Sequence, residues 1–289
     1  MSAEEVPAPT PAVEPEPQNA LTQKFTEKEW AAVKELRTVL PLIFEEAFPN
    51  NPDARFRVVD LWGVKIDPGR VDDARVSVVL AKFVRATDLN VQKATERLIA
   101  TLKWREEFNI EGLLTETFPE DIFGNIGYIF GRDKEGRPLT YNVYGGDVKL
   151  EEVFKDLERF LRWRVQLMER AMRQLDFEKA DSTVQVHDYA GVSSSSRTEQ
   201  SKKAAAEATR IFGEHYPECL HVKFFVNVPT FLTWIYWLFK PIVPSKTFAK
   251  LHVVGSGPQV IGKQLLPYVD AAELPQAYGG TAVGLADNK

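Results

Sequence analysis

The stretch from Val226 to Lys250, VNVPTFLTWIYWLFKPIVPSKTFAK, constrains the fold more than any other part of the chain. Between Pro229 and Pro241, Phe231, Leu232, Trp234, Ile235, Tyr236, Trp237, Leu238 and Phe239 would make a helix apolar on nearly every side. Such a helix is buried, or it faces something other than water. The run is about a dozen residues long against roughly twenty needed to cross a bilayer, and Lys240 with Pro241 closes it. It does not span. A central core helix satisfies this composition. The two Trp and one Tyr favour a boundary between apolar and wet surroundings, which points instead to a movable lid over an apolar cavity, able to meet a membrane.

A chain of 289 residues, 44% hydrophobic, is long enough to enclose a ligand as well as bury a core. Its net charge of -5 and pI near 5.6 exclude a general nucleic-acid binder, which carries a basic excess. The single cysteine, Cys219, excludes an internal disulfide and a cysteine-rich metal site, and fits a reducing compartment as a packed side chain. Glu4 and Glu5 stand where a secretory signal would begin, with no apolar segment behind them. A cytosolic protein with only peripheral membrane contact is expected.

Residues 1–24 are rich in Pro, Ala and Glu and are expected to form a disordered tail. Thr26 with Glu29 reads as a capping box, and Phe25 with Trp30 as its staple, starting a helix to about Phe48. Apolar spacing predicts further helices over about 73–86 and 90–108, completing a small helical region at 25–118. From Asn125 the period changes to two, and DKEGRP at 133–138 supplies the turn of a β-hairpin. A long helix at 149–173, a strand at 183–189, a helix at 198–214, strands at 220–228 and near 250–254, and the apolar helix between them complete the pattern. The fold class is α/β, with a mixed, mostly parallel sheet over 119–281 and a flexible end at 282–289.

Sorting each strand by parity gives two unlike faces. Val184 and Val186 lie with Asp188 on one side, Gln185, His187 and Tyr189 on the other. Leu220, Val222, Phe224 and Val226 oppose His221, Lys223, Phe225 and Asn227, and Leu139, Tyr141 and Val143 oppose Thr140, Asn142 and Tyr144. A water-facing antiparallel sheet gives this pattern, but a mostly parallel sheet is normally covered on both faces. The apolar stripe of the 149–173 helix passes through Arg164, which needs an anion or several acceptors if buried. Either Arg164 pairs with a carboxylate such as Asp188, or it holds an acidic ligand group together with Lys223. His187 and Tyr189 are either hydrogen-bonded core residues or approach the metal of a planar cofactor, a phenolate being a hard ligand for ferric haem.

Five blocks occur in order: KWREEFN (103–109), HDYAG (187–191), HYPE (215–218), FFVNVPTFLTWIYWLFKPIV (224–243) and LPQAYGG (274–280). Together they resemble the Sec-fourteen-like, or CRAL-TRIO, lipid-transfer family over residues 25–281. LWGVKIDP, TYNVYG, RWRVQLMER and QVHDYAGVS are similar to its fungal branch called Sec-fourteen homologue five. The resemblance implies a pocket floored by the sheet and gated by the apolar helix through Phe231, Trp234, Trp237 and Phe239. It implies that phosphatidylinositol is exchanged with a membrane surface, its headgroup held by Glu218, Thr247 and Lys250. A further headgroup position, basic in the typical member, falls at Thr87, with Arg85 nearby. The branch also implies ferric haem b in the same cavity, with Tyr144, Arg164, His187, Tyr189 and Lys223 as contacts. Tyr189 is the implied tyrosinate ligand of the iron, and His187 a second candidate ligand. The expected protein is a non-enzymatic carrier linked to phosphoinositide homeostasis and an oxidant or haem response, cytoplasmic with peripheral attachment to endoplasmic reticulum, microsomal and plasma membranes. The alternative is a haem-dependent redox enzyme or sensor with little lipid transfer.

Overall fold

The structure, a computed structural model, describes residues 16–146, 148–193, 198–228 and 248–285. The apolar run from 229 to 247, with Phe231, Trp234, Trp237, Phe239 and Thr247, lies outside the described residues, as do serines 194–196.

The N-terminal part is helical: α1 Glu27–Thr38, α2 Leu40–Ala47, α3 Ala74–Arg85, α4 Val91–Glu107, α5 Ile110–Leu113 and α6 Glu120–Phe123. The expected capping box forms at Thr26 and Glu29, and the Phe25 and Trp30 rings pack 5.1 Å apart. The expected single helix to Phe48 is two, because Pro41 lacks the amide that would continue the ladder through Val39. The expected tail boundary also moves. Asn19 donates to the Phe177 carbonyl at 3.0 Å, Thr22 is fully buried, and Glu16 pairs with Arg37 at 2.6 Å, so residues 16–24 are ordered by contacts to distant segments. A short hairpin, β1 Val59–Leu61 and β2 Val64–Ile66, turns at Trp62, whose φ is 59°, and Gly63.

The rest is a five-stranded sheet in the order β3 Gly127–Arg132, β4 Pro138–Val143, β5 Thr183–Asp188, β6 Leu220–Val226, β7 Leu251–Val253. β3 and β4 are antiparallel and the remaining pairs parallel. Helices α7 Leu150–Lys155, α8 Leu157–Met172 and α9 Glu199–His215 precede α10 Pro258–Leu265 near the C-terminus. The expected 149–173 helix breaks at Asp156, whose carboxylate leaves the helical path to cap α8 through the Arg159 amide.

Two apolar cores lie on the two sides of the sheet. Below it, Leu139, Tyr141, Val184, Val186, Val222, Phe224 and Val226 pack on Ile261, Leu265, Val269, Leu274 and Tyr278. Above it, α8 is buried on nearly all sides, since it lies between the sheet and the N-terminal helices. Gly127 allows this close approach: a Cβ there would stand 2.5 Å from the Trp163 ring. Glu169 of α8 is fully buried and takes Arg105 of α4 at 2.6 and 3.1 Å and the Tyr216 hydroxyl at 2.7 Å. Cys219 is buried, and burial pushes its thiol up to about 12, so it packs as expected.

Candidate ligand cavity and headgroup site

The polar face foreseen from strand parity is turned toward α8, where Gln185 meets Met168, rather than toward water. Thr140, Asn142, Gln185 and His187 are each less than a tenth exposed, which removes the water-facing explanation. The parallel register lines up Thr140 with Gln185 and Lys223, and Asn142 with His187 and Phe225.

Tyr144 and Tyr189 follow the ends of β4 and β5. The Tyr144 amide donates to the Asp188 carbonyl at 2.8 Å and the Gly146 amide to the Ala190 carbonyl at 3.0 Å. Gly145 makes that approach: a Cβ there would lie 1.4 Å from the Ala190 oxygen. The two phenol rings are thereby held 5.4 Å apart, with His187 5.7 Å from Tyr144 and Phe225 6.3 Å from Tyr189.

Arg164 reaches this cluster from α8. Its guanidinium lies 4.8 Å from the Phe212 ring of α9 and hydrogen-bonds Tyr144. It does not meet Asp188, which lies on the other face and accepts from Asn227 at 2.8 Å, the Ala190 amide at 2.8 Å and the Tyr278 hydroxyl at 3.0 Å. Lys223 stands 5.0 Å over the Phe225 ring, with no carboxylate beside it among the described residues. Two basic groups thus share an apolar site without an anion among the described residues, an arrangement that is costly unless something supplies one.

The ionisation of the cluster follows from this crowding. Burial, reinforced by Arg164, brings the Lys223 amine down to about 7. Burial, then Lys223 and Arg164, holds His187 well below its usual range, so it is a neutral ring at physiological pH. Burial raises the Tyr189 and Tyr144 phenols against the pull of Arg164, and lowers Arg164 itself. Tyr144, Tyr189 and Lys223 are only half-buried by area, yet desolvation dominates each of them. These side chains lie close together and are desolvated without being wholly shut off from the surface. The structure therefore brings together all five residues expected around haem.

A second polar site lies at the entrance to β6 and β7. Lys250 meets Glu218 at 3.1 Å, both side chains about a third exposed. Glu218 has a left-handed backbone (φ 52°), and its carbonyl accepts from the buried Lys82 ammonium of α3 at 3.0 Å. Lys82 also pairs with Asp181 at 3.0 Å. Sequence reasoning missed Lys82, although a lysine inside the apolar run VSVVLAKFV was the available signal. Thr87 does not extend this site: its hydroxyl lies 3.1–3.2 Å from the carbonyls of Phe83, Val84 and Asn90 at the end of α3. Arg85 is held by Glu29 at 2.6 Å and stacks on Phe25.

Among the described residues no helix is long and apolar enough to cross a membrane, and no three His, Cys, Asp or Glu side chains gather as a metal site. A sheet of this order, covered by helices and lined on one face by unpaired polar groups, defines an α/β ligand-binding domain. The chain belongs to the CRAL/TRIO domain family, which matches residues 123–280. It is 30% identical over 99% of its length to "Phosphatidylinositol transfer protein sfh5" of Aspergillus terreus, and 33% identical over 94% to the SFH5 protein of Meyerozyma guilliermondii. It spans 69% and 83% of those two proteins, and little more than half of several other relatives. The crystal structure of Sfh5 superposes with a TM-score of 0.74 at 29% identity, covering 89% of each chain. Family and fold agree with the resemblance read from the sequence.

Proposed function

We propose that the protein is a non-enzymatic carrier of the phosphatidylinositol-transfer type whose inner cavity holds haem b. The observation that carries this reading is the pair of desolvated basic groups, Arg164 and Lys223, beside two phenols with no carboxylate among the described residues there. The residues fit haem: Tyr189 offers a phenolate for ferric iron, Arg164 and Lys223 offer charge for the propionates, and His187, Tyr144 and Phe225 offer flat apolar surface. Bound haem would supply a ferric iron and a strongly absorbing ring. Tyr189 would hold the iron, Arg164 would favour its ionised form, and the neutral His187 ring would stay an acceptor or a packing surface.

Lipid transfer rests on the relatives' printed names and on the outer Glu218–Lys250 pair. There a phosphate would compete with Glu218 for Lys250, and the freed carboxylate could bond inositol hydroxyls. The acyl chains of a lipid so placed would lie over Lys223 and Arg164, which hydrocarbon cannot satisfy. Haem and phosphatidylinositol therefore exclude one another, and the inner face favours haem. The carrier works in the cytoplasm and exchanges its ligand at endoplasmic reticulum or plasma membranes.

The test is the visible spectrum of protein expressed with ample haem, beside extraction of its lipids. A Soret band that shifts or disappears in Tyr189→Phe is expected. Colourless protein carrying phosphatidylinositol would remove haem from the reading, and a coloured Tyr189→Phe with an unchanged spectrum would remove Tyr189.

A further inference from the structure

Two side chains beside the cluster are unexplained by the contacts described so far. Asn142 is fully buried, and neither its amide nitrogen nor its oxygen has a hydrogen-bond partner among the described residues. Thr140, 1% exposed, has an unpaired hydroxyl two residues earlier on the same face, and the buried His187 Nε2 beside Asn142 is unpaired as well. Four orphaned atoms thus lie within two neighbouring rows of one sheet face. On the β3 side the contact of α8 over Gly127 closes this row, and on the β5 side it runs to His187, whose ring faces Tyr144 and Phe225.

A buried amide or hydroxyl left without a partner is destabilising, and an apolar side chain of the same shape would remove that cost. The underside of the same strands shows that this sequence can fill such positions with Leu139, Val184 and Val222. Unpaired polar groups beside two uncompensated cations describe a surface incomplete without its ligand.

We propose that Asn142, with Thr140 beside it, is a specificity-determining residue of the cavity. The two side chains bond the polar edge of an acidic, ring-shaped amphiphile and reject the hydrocarbon chains of a diacyl lipid. This rests on the haem reading and deepens it: Arg164 and Lys223 select the ligand's charge, whereas Asn142 and Thr140 select against a purely hydrocarbon body. A site built to hydrogen-bond its ligand discriminates strongly against one lacking the groups, because its own buried donors and acceptors then stay unpaired.

The test uses the near-isosteric changes Asn142→Leu and Thr140→Val in the full chain, singly and together. Three quantities are read: melting temperature of the ligand-free protein, haem affinity by Soret titration, and uptake of phosphatidylinositol from phosphatidylcholine vesicles containing it. The ligand-free double variant is expected to melt a few degrees higher. Its haem affinity falls about tenfold or more, the loss of at least one ligand hydrogen bond, and its phosphatidylinositol uptake rises. A lower melting temperature with unchanged haem affinity would overturn the proposal, since Asn142 would then be a structural residue. Should leucine prevent folding, Asn142→Ala is read by haem affinity alone, and wild-type affinity there overturns it too. Wild-type protein that takes up no haem would defeat the haem reading and this inference together; wild-type uptake matched by Asn142→Leu would defeat the inference only.

Discussion

The two faces of the central sheet are built from the same strands and obey opposite rules. Below, apolar side chains meet the C-terminal helix, and the carboxylate of Asp188 is bonded by Asn227, the Ala190 amide and Tyr278, leaving the Tyr141 hydroxyl as the orphaned atom of that face among the described residues. Above, Arg164 and Lys223 lack an anion among the described residues, and Asn142, Thr140 and His187 carry orphaned atoms. The lower face is almost wholly apolar, whereas the upper face gathers basic groups and orphaned amide, hydroxyl and imidazole atoms. Stability and binding should therefore separate by face.

Phe224→Ala, on the lower face, should cost about 3–5 kcal/mol of stability through lost burial and a residual cavity. Urea unfolding measures it, and haem affinity per folded molecule should hardly change. Arg164→Met reverses the pattern. It should weaken haem by about 1.5–3 kcal/mol, the worth of a charged hydrogen bond, while the ligand-free protein loses no stability because a buried unpaired cation is gone. An Arg164→Met protein that unfolds more easily yet binds haem normally would break the comparison.

The pH dependence of haem uptake sharpens it. In the free protein Tyr189 is held protonated by burial and Lys223 titrates at about 7. Coordination releases the phenol proton, so below about pH 7 affinity should rise by up to about tenfold per unit. Above about 7 the free amine is neutral and takes up a proton to meet a propionate, which cancels the release and flattens the curve. Equilibrium titration between pH 5.5 and 8.5, in about half-unit steps, would show the break; a rise that continues unbent would remove Lys223 from the site. The smallest effect belongs to Lys250→Ala. Its partly exposed pair should cost phosphatidylinositol binding only about 0.5–1 kcal/mol, read in a vesicle transfer assay, and should leave haem untouched.

Both faces were legible because parity in a strand is strict: Val184 and His187 cannot share a side. The capping box at Thr26 and the hairpin turn at 133–138 were legible for the same local reason. Breaks at Val39 and Asp156 were missed, since each interrupts a helical pattern that the apolar spacing carries straight through. The β1–β2 hairpin was passed over although Trp62-Gly63 marks its turn, and α10 was not foreseen behind Gly257. At the site, Tyr144, His187 and Tyr189 could be sorted by face, but Asn142 looked no different from Thr140 or Gln185. Its importance is an absence of partners, which depends on every neighbouring element and leaves no mark in local sequence.

The Arg105–Glu169 pair bears on where this protein can be cut. The family match begins at residue 123, but Glu169 inside it is neutralised by an arginine before that point. A fragment starting there would leave Glu169, on the helix that carries Arg164, with the Tyr216 hydroxyl but without its counter-cation, and it should be expressed as an insoluble or molten chain. Homology marks out a smaller piece than folding does, and grafting this cavity onto another scaffold would require taking the N-terminal helices along with it.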